Sequence, residues 1–184
     1  MKISKILVTT LCLSLTGLAE KVKVEPGQQW VVLEAMRTKT LAAEINEVAT
    51  QGFRVRMASA DSDSGRMELL LERTATPPAV FQYQLVGTLS AKTKEKEMNS
   101  AGASGFRVVP NTFMSKKGIT IFNTESVVLM EKNPSDTKAY EYKMVTAVRS
   151  KSIERDIKAA AVEGWAICDL AYGELILERV IEKK

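Results

Sequence analysis

Three stretches of the chain share one order of hydrophobic patterns. Each has an alternating segment, a segment with helical spacing, a glycine followed by an aromatic residue, and a closing apolar run. An opening aromatic residue stands 22 residues before the glycine every time: Trp30 and Gly52, Tyr83 and Gly105, Tyr142 and Gly164. A glutamate then follows the glycine after 20, 26 or 14 residues: Glu72, Glu131 and Glu178. A constant first half and a variable second half predict a fixed strand and helix followed by a hairpin that tolerates insertion.

The first segment of each stretch alternates as a strand with one buried face. Residues two apart in a strand share a face. The apolar pairs at this spacing are Trp30 and Val32, Tyr83 and Leu85, and Tyr142 and Met144. The positions inside these pairs hold Val31, Gln84 and Lys143. We therefore expect the aromatic face of each first strand to be buried and the opposite face to be mostly exposed to solvent.

The second segment has the period of a helix that ends at the glycine. Apolar residues fall on one helical face in the first and third stretches: Leu41, Ile45, Val48 and Ala49, then Ile153, Ile157, Ala160 and Ala161. The middle helix is weaker, since only Met98 and Ala101 are apolar and Gly102 lies inside it. Each following glycine is expected to adopt the left-handed conformation that terminates helices.

The predicted fold is α+β, with three tandem β-α-β-β repeats over residues 28–73, 81–132 and 140–179. Each repeat is expected to form a three-stranded sheet with one helix, its third strand central and antiparallel to the other two. About 45 residues bury too little surface to be stable alone. We therefore expect the repeats to pack into one pseudo-symmetric unit, with pseudo-threefold symmetry or one continuous sheet.

The first 19 residues have the features of a secretory signal peptide. Lys2 and Lys5 precede an apolar run, and Gly17 and Ala19 supply small residues before a cleavage point after Ala19. A membrane anchor is less favoured because the run is about half the length of a spanning helix. A lipoprotein is less favoured because Cys12 lies inside the run. We expect residues 20–27 to form a short N-terminal segment and the protein to be exported, to the periplasm or the exterior, without a transmembrane segment in the mature chain.

Composition narrows the classes of function. Cleavage removes two of the 26 basic residues and leaves 22 acidic ones, a formal charge of +2, which argues against a nucleic-acid-binding protein. The chain has no histidine, which excludes hydrolases of the serine-histidine and cysteine-histidine types. No cofactor motif or metal-ligand spacing is present, so neither is expected. The mature chain keeps one cysteine, Cys168, which is either a small buried residue at a repeat interface or a free thiol able to link a dimer.

The third stretch resembles an uncharacterised bacterial small-domain family of unknown function. The matching residues are the opening Tyr140-Glu141-Tyr142-Lys143, then Glu163-Gly164-Trp165, then the closing run 175–179. The first two stretches look like degenerate versions, with phenylalanine in place of the tryptophan. The family often has an acidic residue after the glycine-tryptophan pair, where this chain has Ala166. The resemblance supports the fold and implies no activity and no site.

A lysine with neighbouring hydroxyl groups precedes or opens each predicted helix. Such hydroxyls are typical N-caps, and together with free helix amides they could bind a small anion. The candidate binding residues are Lys39 and Thr40, Lys92 and Thr93, and Lys151 and Ser152. The more common interpretation is an ordinary helix cap beside a solvated lysine.

The hairpin of the middle stretch is the longest of the three. Insertions into a scaffold often carry binding residues. Phe113 and Met114 are predicted to lie near its tip and to be candidates for binding a partner, although a merely extended hairpin is the simpler alternative.

The function expected from the sequence is non-enzymatic binding of a partner protein, a polymer or a small anion outside the cytoplasm. An enzyme that uses carboxylates alone is the alternative, as is a structural or assembly factor. The sequence leaves the oligomeric state open. A deep pocket with two facing carboxylates would favour the enzyme, whereas a flat sheet face with exposed apolar residues would favour a protein partner.

Overall fold

The computed structural model describes residues 22–74, 80–117, 124–146, 150–171 and 173–182. The predicted signal peptide lies outside these residues. So do the Pro77-Pro78 part of the first linker and residues 118–123 of the middle hairpin.

The described residues form a mixed α+β fold with three separate antiparallel sheets. Sheet 1 and its helix contain β1 (Trp30–Ala35), α1 (Thr38–Thr50), β2 (Phe53–Ala60) and β3 (Met67–Arg73). Sheet 2 and its helix contain β4 (Gln82–Thr88), α2 (Ala91–Ala103), β5 (Arg107–Val108), β6 (Met114–Lys117) and β7 (Thr124–Lys132). Sheet 3 and its helix contain β8 (Ala139–Thr146), α3 (Ser150–Val162), β9 (Ala166–Ala171) and β10 (Glu174–Ile181).

The strand order within each sheet agrees with the sequence. The closing strand lies between the other two and is antiparallel to both, in the orders β1-β3-β2, β4-β7-β5 and β8-β10-β9. Strand β6 also pairs with β7, so the middle sheet has four strands instead of the predicted three. The expectation of one continuous sheet is wrong, because the three sheets are not hydrogen-bonded to one another.

The helix terminators are confirmed. Gly52, Gly105 and Gly164 have φ angles of 86°, 88° and 81°, a region that residues with a Cβ rarely adopt. After α2 and α3 the chain closes with a backbone bond from the residue beyond the glycine, Phe106 to Ala101 and Trp165 to Ala160. These glycines let the chain leave each helix and enter the next strand within two or three residues.

The sheets and helices form a stack that follows the chain order. Buried residues of α1, among them Leu41 and Ile45, pack between sheet 1 and the Tyr83 side of sheet 2. Met98 and Ala101 of α2 pack between sheet 2 and the Tyr142 side of sheet 3. Helix α3 covers the far side of sheet 3 alone. The order of layers is therefore sheet, helix, sheet, helix, sheet, helix.

The predicted buried face of β1 is wrong. Val31 and Leu33 lie in the core with α1, whereas Trp30 and Val32 are exposed. The matching aromatic residues of β4 and β8, Tyr83 and Tyr142, are buried because the preceding helix covers them. The alternating pattern correctly predicts a strand. However, β4 and β8 are covered on both faces, whereas β1 is covered on one face only.

Gly102 explains how α2 approaches sheet 3. A Cβ built on this glycine would lie 2.3 Å from the Tyr140 carbonyl oxygen and 2.8 Å from the Tyr142 ring. The glycine that weakens the helix in the sequence is therefore required where β8 crosses it.

Among the described residues, no helix is both long and apolar enough to cross a membrane.

Gly102→Ala should lower the free energy of unfolding by up to about 2 kcal/mol. Alanine improves helix propensity by about 1 kcal/mol, but the clash with backbone costs about 1–3 kcal/mol or more. Ser100→Ala, an exposed position of the same helix, serves as the control and should be neutral or slightly stabilising. Urea unfolding measures both variants, and a more stable Gly102→Ala protein would contradict the close approach.

Candidate interaction surfaces

The joint between sheets 1 and 2 contains a buried carboxylate held from two sides. Glu131 on β7 accepts two hydrogen bonds from Arg54 Nε, at 3.1 and 3.0 Å, and one from Arg54 Nη2 at 2.8 Å. The Tyr83 hydroxyl donates to the same carboxylate at 2.7 Å and accepts from the Val55 amide at 3.0 Å. This arrangement satisfies a carboxylate that is almost fully removed from water.

Asn46 of α1 closes the same joint at the edge of sheet 2. Its amide nitrogen donates to the Tyr83 carbonyl at 2.9 Å, and its amide oxygen accepts from the Tyr83 backbone nitrogen at 2.8 Å. An edge strand otherwise presents unpaired backbone groups. We call Asn46, Arg54, Tyr83 and Glu131 the first joint.

The joint between sheets 2 and 3 repeats this geometry. Arg107 Nε donates to both oxygens of Glu178, at 2.8 and 3.1 Å. Asn99 donates to the Tyr142 carbonyl at 2.9 Å and accepts from its backbone nitrogen at 2.7 Å. The Tyr142 hydroxyl accepts from the Val108 amide and donates to the Phe106 carbonyl, not to the glutamate. We call Asn99, Arg107, Tyr142 and Glu178 the second joint.

The second joint also contains a buried lysine. Lys94 Nζ lies 2.6 Å from Glu174 Oε2, donates to the Ser126 hydroxyl, and lies 4.9 Å from the centre of the Phe113 ring. Its side chain is 1% exposed, so the ammonium depends on these contacts for solvation. The sequence places Lys94 one turn into a helix, where it would be taken for a solvated charge.

Burial shifts the pKa values of three side chains in the joints. It raises the pKa of Tyr83, with the charge of Glu131 adding to the shift, and it raises the pKa of Tyr142. It also raises the pKa of the Cys168 thiol, which packs at the second joint 4.0 Å from the Val108 carbonyl oxygen. Cys168 is thus half-buried and protonated at neutral pH, in agreement with the interface alternative.

The outer face of sheet 1 is open. Trp30 is 43% exposed, whereas Tyr83 and Tyr142, which pair with the matching glutamates of the closing strands, are 5% and 2% exposed. Val32 and Met57 are exposed beside it, and Leu70 is half-buried where Leu129 and Ile176 are fully buried. We call Trp30, Val32, Met57 and Leu70 the head face.

Charged groups around the head face are paired within sheet 1. Arg56 Nε lies 2.6 Å from Glu72, and Arg66 lies 3.5 Å from Glu34 and 3.3 Å from Glu68. An apolar centre with a polar rim is the usual anatomy of a protein interface. Covering this face would leave these charges neutralised.

The opposite end of the stack is also open. Ile153 and Ile157 of α3 are half-buried and Ala161 is exposed, whereas the matching residues of α1, Leu41, Ile45 and Ala49, are fully buried. On β9, Ile167 is 55% exposed, where Val55 and Val108 are 3% and 2% exposed. Leu170 is exposed as well. We call Ile153, Ile157, Ala161, Ile167 and Leu170 the tail face.

The anion-site candidates lie in the first turns of the three helices. Lys39, Lys92 and Lys151 are exposed, Thr93 is exposed, and Thr40 and Ser152 are half-buried. The helix caps differ from the expectation: α1 follows Arg37 without a side-chain cap, and α2 is capped by Ser90, which accepts from Thr93 N at 3.4 Å. Thr38 donates instead to Glu125 of sheet 2 at 3.3 Å. Anion binding stays a prediction.

Phe113 and Met114, which the sequence predicts near a hairpin tip as candidates for binding a partner, are buried in the structure. Phe113 packs in the core between sheets 2 and 3, and Met114 is fully buried in the core around α1. Strand β6 lies against sheet 1, with Lys116 donating to the Met36 carbonyl at 3.1 Å. Both side chains therefore serve packing.

Few features of the described residues suggest a small-molecule site. One open depression of about 660 Å³ is lined by Val22, Lys23, Val24, Glu47, Thr50 and Gln51, none of them a candidate from the sequence. No cluster of three or more acidic or cysteine side chains able to hold a metal occurs in the part of the chain that the structure describes.

Sequence reasoning missed the joints. The signal was present, because Gly-Phe-Arg-Val occurs at 52–55 and again at 105–108, and asparagine occupies the ninth position of both α1 and α2. In sheet 3 these positions hold Ala166 and Lys158. No family model, curated protein or solved structure matches the chain.

Proposed function

We propose that this is an exported, non-enzymatic interaction protein built from three copies of one β-α-β-β unit, and that it binds a protein partner through the head face. The observation that carries the proposal is the open face itself. Trp30, Val32 and Met57 occupy an open sheet face whose counterparts in sheets 2 and 3 are covered. Exposed, contiguous apolar residues rimmed by polar ones are typical of protein-binding surfaces.

Four features support descent from one repeated unit. The element order is shared, with one added strand in sheet 2. Each helix ends at a glycine with positive φ. The joints use the same residue types with the same bonding of asparagine to a tyrosine backbone. A bulge in β2 and one in β9 fall at matching positions, around Arg56 and Cys168.

The partner that suits the head face presents a helix. The corresponding faces of sheets 2 and 3 are covered by α1 and α2, so the stack itself shows what this surface accommodates. The paired charges of Arg56 and Arg66 leave no strong field that would favour a small ion. Export rests on the signal-like residues 1–19, and cleavage predicts a mature protein that begins at Glu20.

Site-specific photo-crosslinking in the producing cells tests this function. A photoreactive amino acid replaces Met57 on the head face or, as the matched control, Met36, which is equally exposed at 62% and lies outside the strands of sheet 1, beyond the end of β1. We expect a discrete protein adduct from position 57 and none from position 36. No adduct at 57, or equal adducts at both, would contradict a head-face partner. Mass spectrometry of the same protein reads the N-terminus.

A further inference from the structure

The two ends of the stack are complementary in kind. One end is a sheet that lacks a covering helix, and the other is a helix that lacks a covering sheet. Inside the molecule, this same combination occurs twice: the α1 layer meets sheet 2, and the α2 layer meets sheet 3. The head and tail faces are thus the two halves of one further joint.

The tail face has the shape that a joint requires. At the position where Gly102 lets β8 approach α2, α1 has Ala49 and α3 has Ala161. A small residue there allows a strand to pass close to the helix. Ile153 and Ile157 lie at the positions that are fully buried in α1 and α2, so their remaining exposure is the area that a further sheet would cover.

The arginine and asparagine of a joint are absent from the tail, and the polar groups of the head are already bonded within sheet 1 or its N-terminal segment. The tail lacks the arginine and asparagine, since Ala166 and Lys158 occupy their positions. The head face does not need an arginine or an asparagine from the tail face. Glu72 is already paired with Arg56 at 2.6 Å, and the Trp30 carbonyl accepts from Gln28 Nε2 at 2.8 Å, the bond that Asn46 provides at Tyr83. Trp30 has no hydroxyl to satisfy.

From this we infer that copies of the chain associate head to tail, with the tail face of one copy on the head face of the next. The inference rests on the proposed function and names its partner as a second copy, whose α3 is the helix. The contact joins two different surfaces, so it does not close at a dimer and can extend into linear chains. It lacks the arginine-glutamate bonds of the inner joints, so assembly should be reversible and concentration-dependent.

Sedimentation of the purified, processed protein over a concentration series gives the first readout. We expect the average mass to rise steadily with concentration and to pass the dimer without a plateau. A monomer at every concentration, or a plateau at the dimer, would overturn the inference. This measurement needs no variant and is therefore independent of any folding defect.

Two double variants identify the surfaces. The head variant is Val32→Lys with Met57→Lys, and the tail variant is Ala161→Arg with Ile167→Lys; all four positions are exposed. Each variant alone should associate at least about tenfold more weakly than the parent. Mixed together, they should form a 1:1 dimer that grows no further, because each supplies the face that the other lacks. The control is Met36→Lys with Leu89→Lys, two exposed sites that follow β1 and β4 and are not among the residues that define either face, which should assemble like the parent.

The outcomes separate this inference from the proposed function. Loss of association in the head variant alone would indicate contact between two head faces and overturn the head-to-tail arrangement, while a protein partner on the head face would stand. A monomeric parent with a position-57 adduct to a different protein in cells would likewise overturn only the inference. A monomeric parent without any adduct would overturn both.

Discussion

Arg54→Ala should lower the free energy of unfolding by about 2 kcal/mol, more than Arg56→Ala on the same strand. The substitution removes three hydrogen bonds to Glu131, a carboxylate that is 8% exposed. A buried carboxylate that loses its cation costs about 3–5 kcal/mol. Arg54 itself is partly exposed, so water can solvate part of the Glu131 carboxylate after the substitution. The expected loss of about 2 kcal/mol therefore lies below that range.

Arg56→Ala is the matched control, two residues away on the same strand. Arg56 also forms one close ion pair, to Glu72 at 2.6 Å, but that glutamate is 32% exposed. Exposed pairs contribute about 0–1 kcal/mol. Urea unfolding compares the two variants, and a double-mutant cycle with Glu131→Gln or Glu72→Gln measures each coupling. Equal losses at positions 54 and 56 would show that the first joint does not hold the sheets together.

Local features of the fold could be predicted from the sequence because they depend on neighbouring residues. Gly52, Gly105 and Gly164 mark helix ends through their own conformational freedom, and the structure gives all three positive φ angles. The face of α1 follows from a spacing of three and four residues. The central position of each closing strand follows from apolar residues on both of its sides, such as Leu129 and Ile176.

The joints could not be predicted, because their partners are far apart in the chain. Arg54 and Glu131 are 77 residues apart, and Arg107 and Glu178 are 71 apart. An arginine or a glutamate in an alternating strand usually lies on the solvent-exposed face, and it would do so here if each sheet stood alone. In the stack, the preceding helix covers the face of sheets 2 and 3 that carries Glu131 and Glu178. Recurrence of Gly-Phe-Arg-Val was the available signal.

The two errors about exposure share one physical origin. Trp30 is buried in the expectation and exposed in the structure, whereas Phe113 and Met114, expected near a hairpin tip, are buried; both expectations consider each β-α-β-β stretch by itself. Burial in a stack depends on position along it. The aromatic residue of the first strand is covered only when another helix precedes it, and an inserted hairpin is covered when the preceding sheet lies against it.

The same burial predicts a steep loss of stability in alkali. Tyr83 and Tyr142 are buried in the joints, which raises the pKa of each above the value of about 10 that an unfolded chain shows. Below pH 10 the tyrosines are protonated in both states, and their contribution is fully present. As the pH rises further, the unfolded chain releases these protons while the folded protein retains them, so stability falls by about 1.4 kcal/mol per pH unit for each tyrosine.

Tyr83→Phe isolates this contribution. At pH 7 the variant should be about 1–2 kcal/mol less stable than the parent, because the Val55 amide loses its acceptor and Glu131 loses a donor. Above pH 10 the difference should shrink by about 1.4 kcal/mol per unit, since phenylalanine has no proton to release. Arg56→Ala provides the control, because its stability should stay parallel to that of the parent over the same range. Unfolding curves between pH 9 and 11.5 measure all three proteins, and parallel curves for Tyr83→Phe and the parent would mean that the hydroxyl is open to water and that the first joint is looser than its hydrogen bonds indicate.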